Sequence, residues 1–311
     1  MGNKVAVFGS FFVDLMARTP RFPKEGETLK GTMFKMGPGG KGFNQAVAAH
    51  KANADVTMIT KVGKDEFANV ILNTMKELNM PTEHIIQTDA SSTGCALIMV
   101  NEQTGENEIV IVPGTCNLLN EEDTNALEDV IRDCEYVLLQ LEVNQDANER
   151  VVELARKYNV KVIVNTAPYS SMSDDFLSKV YMVTPNEVEA EEMTGIVIDS
   201  LENAKKAASI LRDKGVEVVV ITLGGRGVFI SCDGKEDIVE AFKVHAVDTT
   251  GAGDAFNGGF LCALSEGKDI WEAARFANAL AALSVQKIGT TISMPTREEI
   301  DKFLQEVTKC Q

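Results

Sequence analysis

The stretch Val247-Asp248-Thr249-Thr250-Gly251-Ala252-Gly253-Asp254 leads into the apolar run 255–261 and is the most informative part of the chain. Two glycines separated by one alanine leave the backbone amides of the following helix N-terminus open, where they can bind an anion. Asp254 falls in the first turn of that helix and places a carboxylate beside these N–H donors. A base beside an anion site is what phosphoryl transfer to an alcohol requires.

The same motif also has a purely structural explanation. Glycine-rich strand-to-helix turns are common in α/β proteins, and an aspartate in a first helical turn is favourable to the helix dipole alone. A dinucleotide-binding fold is disfavoured, because the third glycine of that fingerprint is absent at the required spacing. The rest of the chain has to distinguish a catalytic turn from a structural one.

The composition is typical of a soluble globular protein. The 311 residues are 44% hydrophobic and 24% charged, which is enough for one large α/β domain or two ordinary ones. The 30 basic and 46 acidic residues give a formal charge of -16, which argues against nucleic acid or an acidic membrane surface as a partner. No stretch reaches the length of a membrane span.

Cysteine usage indicates the compartment. Six cysteines are spread along the chain without a C-x-x-C pair, namely Cys95, Cys116, Cys134, Cys232, Cys262 and Cys310. This is not the spacing of a disulfide framework or a zinc site, so reduced thiols and a cytoplasmic location are expected. The apolar run after Lys4 is interrupted by Gly9, Ser10 and Asp14, and a buried first strand explains it as well as a signal peptide does.

Helices and strands alternate regularly through most of the chain. The predicted helices lie near 123–132, 146–158, 173–178, 187–194, 201–213, 252–266, 270–285 and 296–308. The predicted strands between them cover 136–141, 160–165, 180–184 and 217–222, with a further β-rich passage over 227–247. This alternation predicts a mostly parallel sheet with helices on both faces, and the absence of linkers predicts a single domain over 1–311.

Two passages interrupt the alternation, at about 11–40 and 93–114. In the second, apolar runs at 95–100 and 108–112 flank the turn 103–106, which indicates a β-hairpin. We expect the two passages to form a small β lid, since lids over phosphoryl-transfer sites exclude competing water. An ordinary extension of the sheet edge is the alternative.

Polar residues follow several predicted strands, where ligands collect in parallel sheets. Asp14, Glu142 and Asn165 lie just beyond such strands, and Lys41 and Asn44 open a helix after Gly39-Gly40. The spacing around Lys41 does not fit a P-loop, because Lys35 stands at the first glycine position and Gly42 at the metal-binding hydroxyl. A close approach of the backbone to a polyol fits better.

Two further motifs suit a nucleotide. Asn186 and Glu189 lie three apart at a helix start, which is typical of a capping box and becomes credible as a metal-water pair only beside a triphosphate. A phosphate-compatible loop follows the strand 217–222 and consists of Thr222, Leu223, Gly224, Gly225, Arg226 and Gly227; a plain turn is the alternative. Asn278 is the one polar candidate for a base edge in an apolar helix.

Together these motifs resemble those of the ribokinase family of sugar and nucleoside kinases over nearly the whole chain. The matching segments are Gly9-Ser10 with Asp14, Gly39-Gly40-Lys41-Gly42 with Asn44-Gln45-Ala46, Gln140-Leu141-Glu142, Thr184-Pro185-Asn186-Glu187 with Glu189, Thr222-Leu223-Gly224 with Arg226-Gly227, and Asp248 to Asp254. The resemblance implies a three-layer α/β/α sandwich with a small β lid that forms a homodimer. It also implies ATP as phosphoryl donor, Mg²⁺, and activation by K⁺.

The resemblance assigns roles to individual residues. Asp254 would take the proton from the primary hydroxyl of the sugar, and the amides of Gly251, Ala252 and Gly253 would hold the transferred phosphoryl group. The sugar-binding set would be Asp14, Gly40, Lys41, Asn44 and Glu142. The nucleotide set would be Asn186, Asn278 and the loop from Thr222 to Gly227, with Asn186 and Glu189 holding Mg²⁺ through water. The monovalent-cation set would be Asp248, Thr250, Ser284, Lys287, Gly289 and Ser293.

The departures from the family pattern lie around the sugar. Phe12 replaces a polar residue, Phe43 replaces a small one, and Thr166 interrupts a proline-containing run. We expect the two rings to reshape the acceptor pocket or to stack on a flat ligand. The resemblance favours D-ribose, phosphorylated to ribose 5-phosphate. Fructose or another ketose, a nucleoside, and a non-catalytic sugar or nucleotide sensor remain alternatives.

Overall fold

The computed structural model describes residues 3–309, so Cys310 lies outside the described range. The strands are β1 Val5–Phe8, β2 Phe12–Thr19, β3 Met33–Gly39, β4 Val56–Gly63, β5 Ile85–Thr88, β6 Cys95–Asn101, β7 Asn107–Val112, β8 Tyr136–Gln140, β9 Lys161–Asn165, β10 Met182–Val183, β11 Val218–Thr222, β12 Val228–Cys232 and β13 Lys235–Val239. The α-helices are α1 Lys41–Lys51, α2 Ala68–Glu77, α3 Glu121–Asn125, α4 Glu128–Arg132, α5 Gln145–Lys157, α6 Asp174–Leu177, α7 Glu187–Thr194, α8 Leu201–Asp213, α9 Ala252–Ser265, α10 Ile270–Ser284 and α11 Arg297–Lys309.

The main sheet has nine strands in the order β13-β12-β11-β10-β9-β8-β1-β4-β5. All neighbours pair in parallel except β11 with β12 and β12 with β13. Alternate residues of one strand enter opposite apolar cores: Val5 and Val7 face one, and Ala6 and Phe8 face the other. Because both faces are covered, the parallel strands read as continuous apolar runs. The predicted three-layer α/β/α sandwich is therefore confirmed.

A second sheet forms the lid, with strand order β3-β2-β6-β7. The hairpins β2–β3 and β6–β7 are antiparallel, and they join through parallel pairing of β2 with β6. These strands fall within the two predicted interruptions, and the hairpin predicted around the turn 103–106 is confirmed. Each interruption contributes two strands, so the lid forms only when segments distant in sequence pair.

Some predicted boundaries were wrong. The helix expected near 123–132 is two short helices, α3 and α4, because Leu127 turns into a buried position between them. The strand expected over 180–184 pairs only at Met182 and Val183. The β-rich passage ends at Val239, and the chain from there to the N-terminus of α9 has no regular structure.

The described cysteines, Cys95, Cys116, Cys134, Cys232 and Cys262, are all free thiols, in agreement with the prediction. Within residues 3–309, no helix combines the length and the apolar character needed to cross a membrane.

Candidate active site

The N-terminus of α9 has the open geometry expected of an anion site. Gly251 caps the helix with a φ of 77°, a left-handed conformation that favours glycine. A Cβ at Gly253 would have no heavy atom within 4 Å, so the backbone there borders open space. Of the three predicted donors, Ala252 is engaged within the turn, since its N–H donates to Thr249 O at 3.1 Å.

Asp254 is buried and held by two amides. Its Oδ2 accepts from Asn44 Nδ2 at 3.0 Å, and its Oδ1 accepts from Gln45 Nε2 at 2.9 Å. Burial raises the pKa of this carboxyl, while the charge of Lys41 and the two amide donors oppose the increase. The structure thus places a buried carboxylate with positioned donors beside the open turn.

The predicted sugar-binding residues converge on the same place. Glu142 accepts from Lys41 N at 2.9 Å and also from the Ser10 hydroxyl, and burial raises its pKa. Burial, with the nearby charges of Glu142 and Asp254, raises the pKa of Asp14 to about 6. Three carboxylates and one lysine therefore share a small polar region, which suits a ligand with several hydroxyl groups.

Gly40 lets the backbone approach this region closely. Its φ is 89°, and a Cβ would lie 2.9 Å from Phe12 N and 3.0 Å from Phe11 Cα. A side chain at this position would be strained and would also clash with backbone atoms. This explains why α1 begins with glycine at its N-cap, directly before Lys41 and Asn44.

A cavity of about 350 Å³ extends from Asp14 between the lid and the loop 288–292. The underside of the lid contributes Arg18 and Lys35, which the sequence analysis did not select. The signal was present in the sequence, because residues 14, 16 and 18 of one strand point to the same face. Arg18 and Lys35 therefore bring two positive charges to this cavity.

The interpretation of Phe12 and Phe43 as pocket residues was wrong. Phe43 is completely buried and packs edge-to-face on Phe11, with ring centroids 5.3 Å apart. Phe12 is 3% exposed and belongs to the core on the other face of the sheet. Neither ring offers a surface on which a flat ligand could stack. Both phenylalanines, which stand where the family has a polar or a small residue, are accommodated in the apolar cores.

A second cavity, of about 440 Å³, lies on the other side of the α9 N-terminus. Its lining includes Thr222, Gly224, Gly225, Gly227, Phe242, Ala252, Gly253 and Asn278. Leu223 and Arg226 do not line it: Leu223 is 4% exposed within the core, and Arg226 pairs with Glu187. Asn278 Nδ2 already donates to Val239 O at 3.0 Å. The turn before Asp254 therefore lies between two cavities.

Asn186 and Glu189 form a reciprocal capping box at the start of α7. Asn186 N donates to Glu189 Oε2 at 2.9 Å, Asn186 Nδ2 donates to Glu189 Oε1 at 2.8 Å, and Glu189 N donates to Asn186 Oδ1 at 2.8 Å. Thr166 adds a fourth bond, from its hydroxyl to Glu189 Oε2 at 3.3 Å. Burial raises the pKa of Glu189, and the Asn186 N–H opposes that increase. The capping box predicted for this motif is therefore present.

In the predicted monovalent-cation set, most side chains are already engaged. Asp248 accepts from Thr250 N and from Gly289 N, each at 2.9 Å. The Ser284 and Ser293 hydroxyls donate to the carbonyls of Ala281 and Thr290, and Lys287 pairs with Glu299 at 3.0 Å. Burial raises the pKa of Asp248, but the amide donors prevail and the net shift is downward. Ligands for a cation here would be mainly backbone carbonyls.

Gln45 and Thr291 also belong to the site, although neither was predicted as a site residue from the sequence. Gln45 contacts Asp254 directly, and the Thr291 hydroxyl donates to Asn44 Oδ1 at 2.8 Å. Gln45 lies within the Asn44-Gln45-Ala46 motif, so the sequence indicated that it lies near the site. Thr291 lies in a loop, and no pattern along the chain connects it with α1.

Comparison with known proteins identifies the family. The pfkB family carbohydrate kinase model matches residues 3–297. A ribokinase of Haemophilus influenzae is 42% identical over 98% of this chain and 99% of its own, and a deoxyribokinase of Salmonella typhi is 38% identical over 96% and 98%. The structure of Arabidopsis thaliana ribokinase complexed with ribose and ATP superposes with a TM-score of 0.93 at 30% identity, covering 98% of this chain and 99% of that one. The chain therefore belongs to the pfkB family of carbohydrate kinases.

Proposed function

We propose that this protein transfers the γ-phosphoryl group of ATP to the primary hydroxyl of D-ribose and forms ribose 5-phosphate. The observation that carries the proposal is the position of Asp254, a buried carboxylate that directly follows an open helix N-terminus whose turn lies between two cavities. The relatives support ribose as the acceptor. The ribokinase of Haemophilus influenzae is 42% identical to this chain, and that of Arabidopsis thaliana superposes on it with a TM-score of 0.93.

In the proposed mechanism, Asp254 removes the proton from the 5-hydroxyl as that oxygen bonds to the γ-phosphorus, the bond from the γ-phosphorus to the β,γ-bridging oxygen breaks, and ADP leaves. Asp14, Lys41, Asn44 and Glu142 hold the remaining hydroxyls and orient the sugar. The free amides at the α9 N-terminus stabilise the charge on the transferred phosphoryl group. A lid closed over the sugar would exclude water, which otherwise competes as phosphoryl acceptor.

The donor would bind in the second cavity, with its phosphates along the loop from Thr222 to Gly227. The side chains of Asn186 and Glu189 are already hydrogen-bonded to each other. We therefore propose that they contact Mg²⁺ through its bound waters and not directly, since Mg²⁺ in proteins usually keeps several waters. Mg²⁺ held in this way would neutralise negative charge on the phosphates of the donor. K⁺ would bind among the backbone carbonyls around Asp248 and Gly289.

An acceptor screen tests this function. Purified protein with MgATP should release ADP with ribose, and the rate should exceed that with 2-deoxyribose, fructose or nucleosides. The same reactions with and without K⁺ test the cation, for which we expect a higher rate with K⁺. No ADP release on any acceptor would contradict the kinase function. Turnover of another acceptor, but not of ribose, would contradict only the proposed substrate.

The lid is the basis of a second part of the proposal, a single-domain protein that forms a homodimer. Phe34, Met36, Leu97, Val110 and Val112 are 45–67% exposed, and register and alternation place them on the face of the lid away from the cavity. A contiguous exposed apolar surface marks a protein interface. With free, mostly buried thiols, we also propose a cytoplasmic location.

The Leu97→Glu variant should shift the protein from dimer to monomer, because it introduces a charge into the middle of this face. Sedimentation equilibrium over a range of concentrations measures the change. Val197→Glu is the matched control, since Val197 is also an exposed apolar residue, at 53%, but is not part of the lid. A wild-type protein that is monomeric at all concentrations would contradict the dimer.

A further inference from the structure

The side chain of Gln45 contacts Asp254 from inside the protein and lines neither cavity. It is completely buried. Its Nε2 donates to Asp254 Oδ1 at 2.9 Å and to Asn165 Oδ1 at 3.0 Å, and its Oε1 accepts from Gln140 Nε2 at 2.6 Å. Both amide hydrogens and the amide oxygen are thus engaged, which fixes the orientation of the Gln45 side chain.

The partners of Gln45 belong to the rigid sheet. Gln140 and Asn165 pair at the carboxyl ends of the neighbouring strands β8 and β9. Asn165 is itself fixed, because its Nδ2 donates to Thr184 O at 3.2 Å. A hydrogen-bonded chain therefore runs from the sheet edge through Gln45 to the carboxylate of Asp254.

Close packing of two helices brings Gln45 to Asp254. A Cβ at Gly258, one turn after Asp254 on α9, would lie 2.5 Å from both Gln45 O and the Ala48 Cβ on α1. The two backbones therefore approach more closely than any larger residue would allow. This contact lets adjacent residues of α1, Asn44 and Gln45, reach the two oxygens of one carboxylate.

We propose that Gln45 is a positioning residue for the general base. It holds Oδ1 of Asp254 in a fixed orientation and so directs the carboxylate toward the acceptor hydroxyl, while Asn44 holds Oδ2. The inference rests on the proposed role of Asp254 in sugar phosphorylation. Gln45 itself does not touch the substrate, and it acts only through Asp254.

The charges around Asp254 make this bond consequential. Burial opposes the ionised form of Asp254, whereas the positive charge of Lys41 on α1 favours it. The Asp254 carboxylate in turn raises the pKa of Asp14 on β2 and of Glu142 after β8. A donated hydrogen bond from Gln45 stabilises the ionised carboxylate. Removal of that donor raises the pKa of Asp254, and a protonated carboxyl cannot accept a proton from the sugar.

The Gln45→Met variant tests the proposal, because methionine keeps the length of the side chain and removes its hydrogen bonds. We expect the single-turnover rate of phosphoryl transfer, at saturating sugar and ATP, to fall about ten- to a hundredfold. The KM for the sugar should change little. The acidic limb of the pH–rate profile should move to higher pH. In Gln45→Glu it should move further, because a second carboxylate would then adjoin Asp254.

Two more variants separate positioning from general loss of stability. Asn148→Leu removes a buried amide that donates to Gln140 O at 2.9 Å, so it should lower the Tm and leave the acidic limb in place. Gln140→Met releases Gln45 Oε1 without changing Gln45, and it should shift the limb in the same direction as Gln45→Met but less. Gln140→Met therefore still tests the proposal if the Gln45 variants do not fold.

The outcomes are distinguishable. Acidic limbs that coincide with wild type in the Gln45 and Gln140 variants would overturn the inference, and so would an increase in KM without a change in the transfer rate. In those cases the wild-type enzyme still phosphorylates the sugar. A wild-type protein without any sugar phosphorylation would instead overturn the proposed function.

Discussion

The Asp254→Asn variant is expected to lower kcat for sugar phosphorylation by roughly a thousandfold, the scale of a general base. Asparagine has the same shape but cannot accept the proton from the sugar hydroxyl. ATP should still bind, because the second cavity is formed by other residues. Steady-state kinetics measures kcat, and calorimetry with a non-hydrolysable ATP analogue measures nucleotide affinity.

Asp89→Asn is the matched control, since Asp89 is 75% exposed and pairs with Lys64 at the surface. That variant should keep its wild-type kcat. If Asp254→Asn also kept the wild-type kcat, a different group would be the base. Loss of ATP affinity together with kcat would indicate that the substitution disturbs the α9 N-terminus itself.

The Asp14→Asn variant is expected to reduce kcat/KM for the sugar on the order of a hundredfold, because hydrogen bonds to a charged acceptor contribute about 1.5–3 kcal/mol each. The KM for ATP should not change, since Asp14 lines only the acceptor cavity. Steady-state kinetics with each substrate varied in turn separates the two effects.

Asp14 should also give sugar binding a pH dependence. Its pKa is raised to about 6, so the side chain is neutral below that pH and ionised above it. In the proposed site the ionised carboxylate is the better hydrogen-bond acceptor for sugar hydroxyls, so the wild-type KM for the sugar should fall as the pH rises through about 6. In Asp14→Asn this change should disappear. An identical pH dependence of KM in both proteins would assign it to another group.

The fold could be predicted largely from local patterns. Strands buried on both faces are continuous apolar runs, and they alternate with amphipathic helices. Both features can be recognised in short segments without knowing which distant residues are in contact. The lid was recognisable because two passages break the alternation. Its parallel pairing of β2 with β6 was not, because strands so far apart in sequence carry no local signal of their register.

The site was predictable where chemistry follows the period of a helix or strand. Lys41 and Asn44 lie three apart and share one face of α1, whereas Phe43, between them in sequence, points away into the core. Sequence proximity alone had suggested the opposite for Phe43. The motif placed Gln45 near the site, but its contact with Asp254 could not be predicted, because that contact depends on how closely α9 approaches α1.

The contact at Gly258 also joins two parts of the gene. The residues proposed to choose the acceptor are encoded before position 143, and those proposed to bind ATP, together with Asp254, are encoded after position 185. One apolar core contains side chains from both halves, and within it Gly258 packs directly against Ala48 and Gln45 where α9 meets α1. A chimaera would retain catalysis only if its two halves preserve this helix contact.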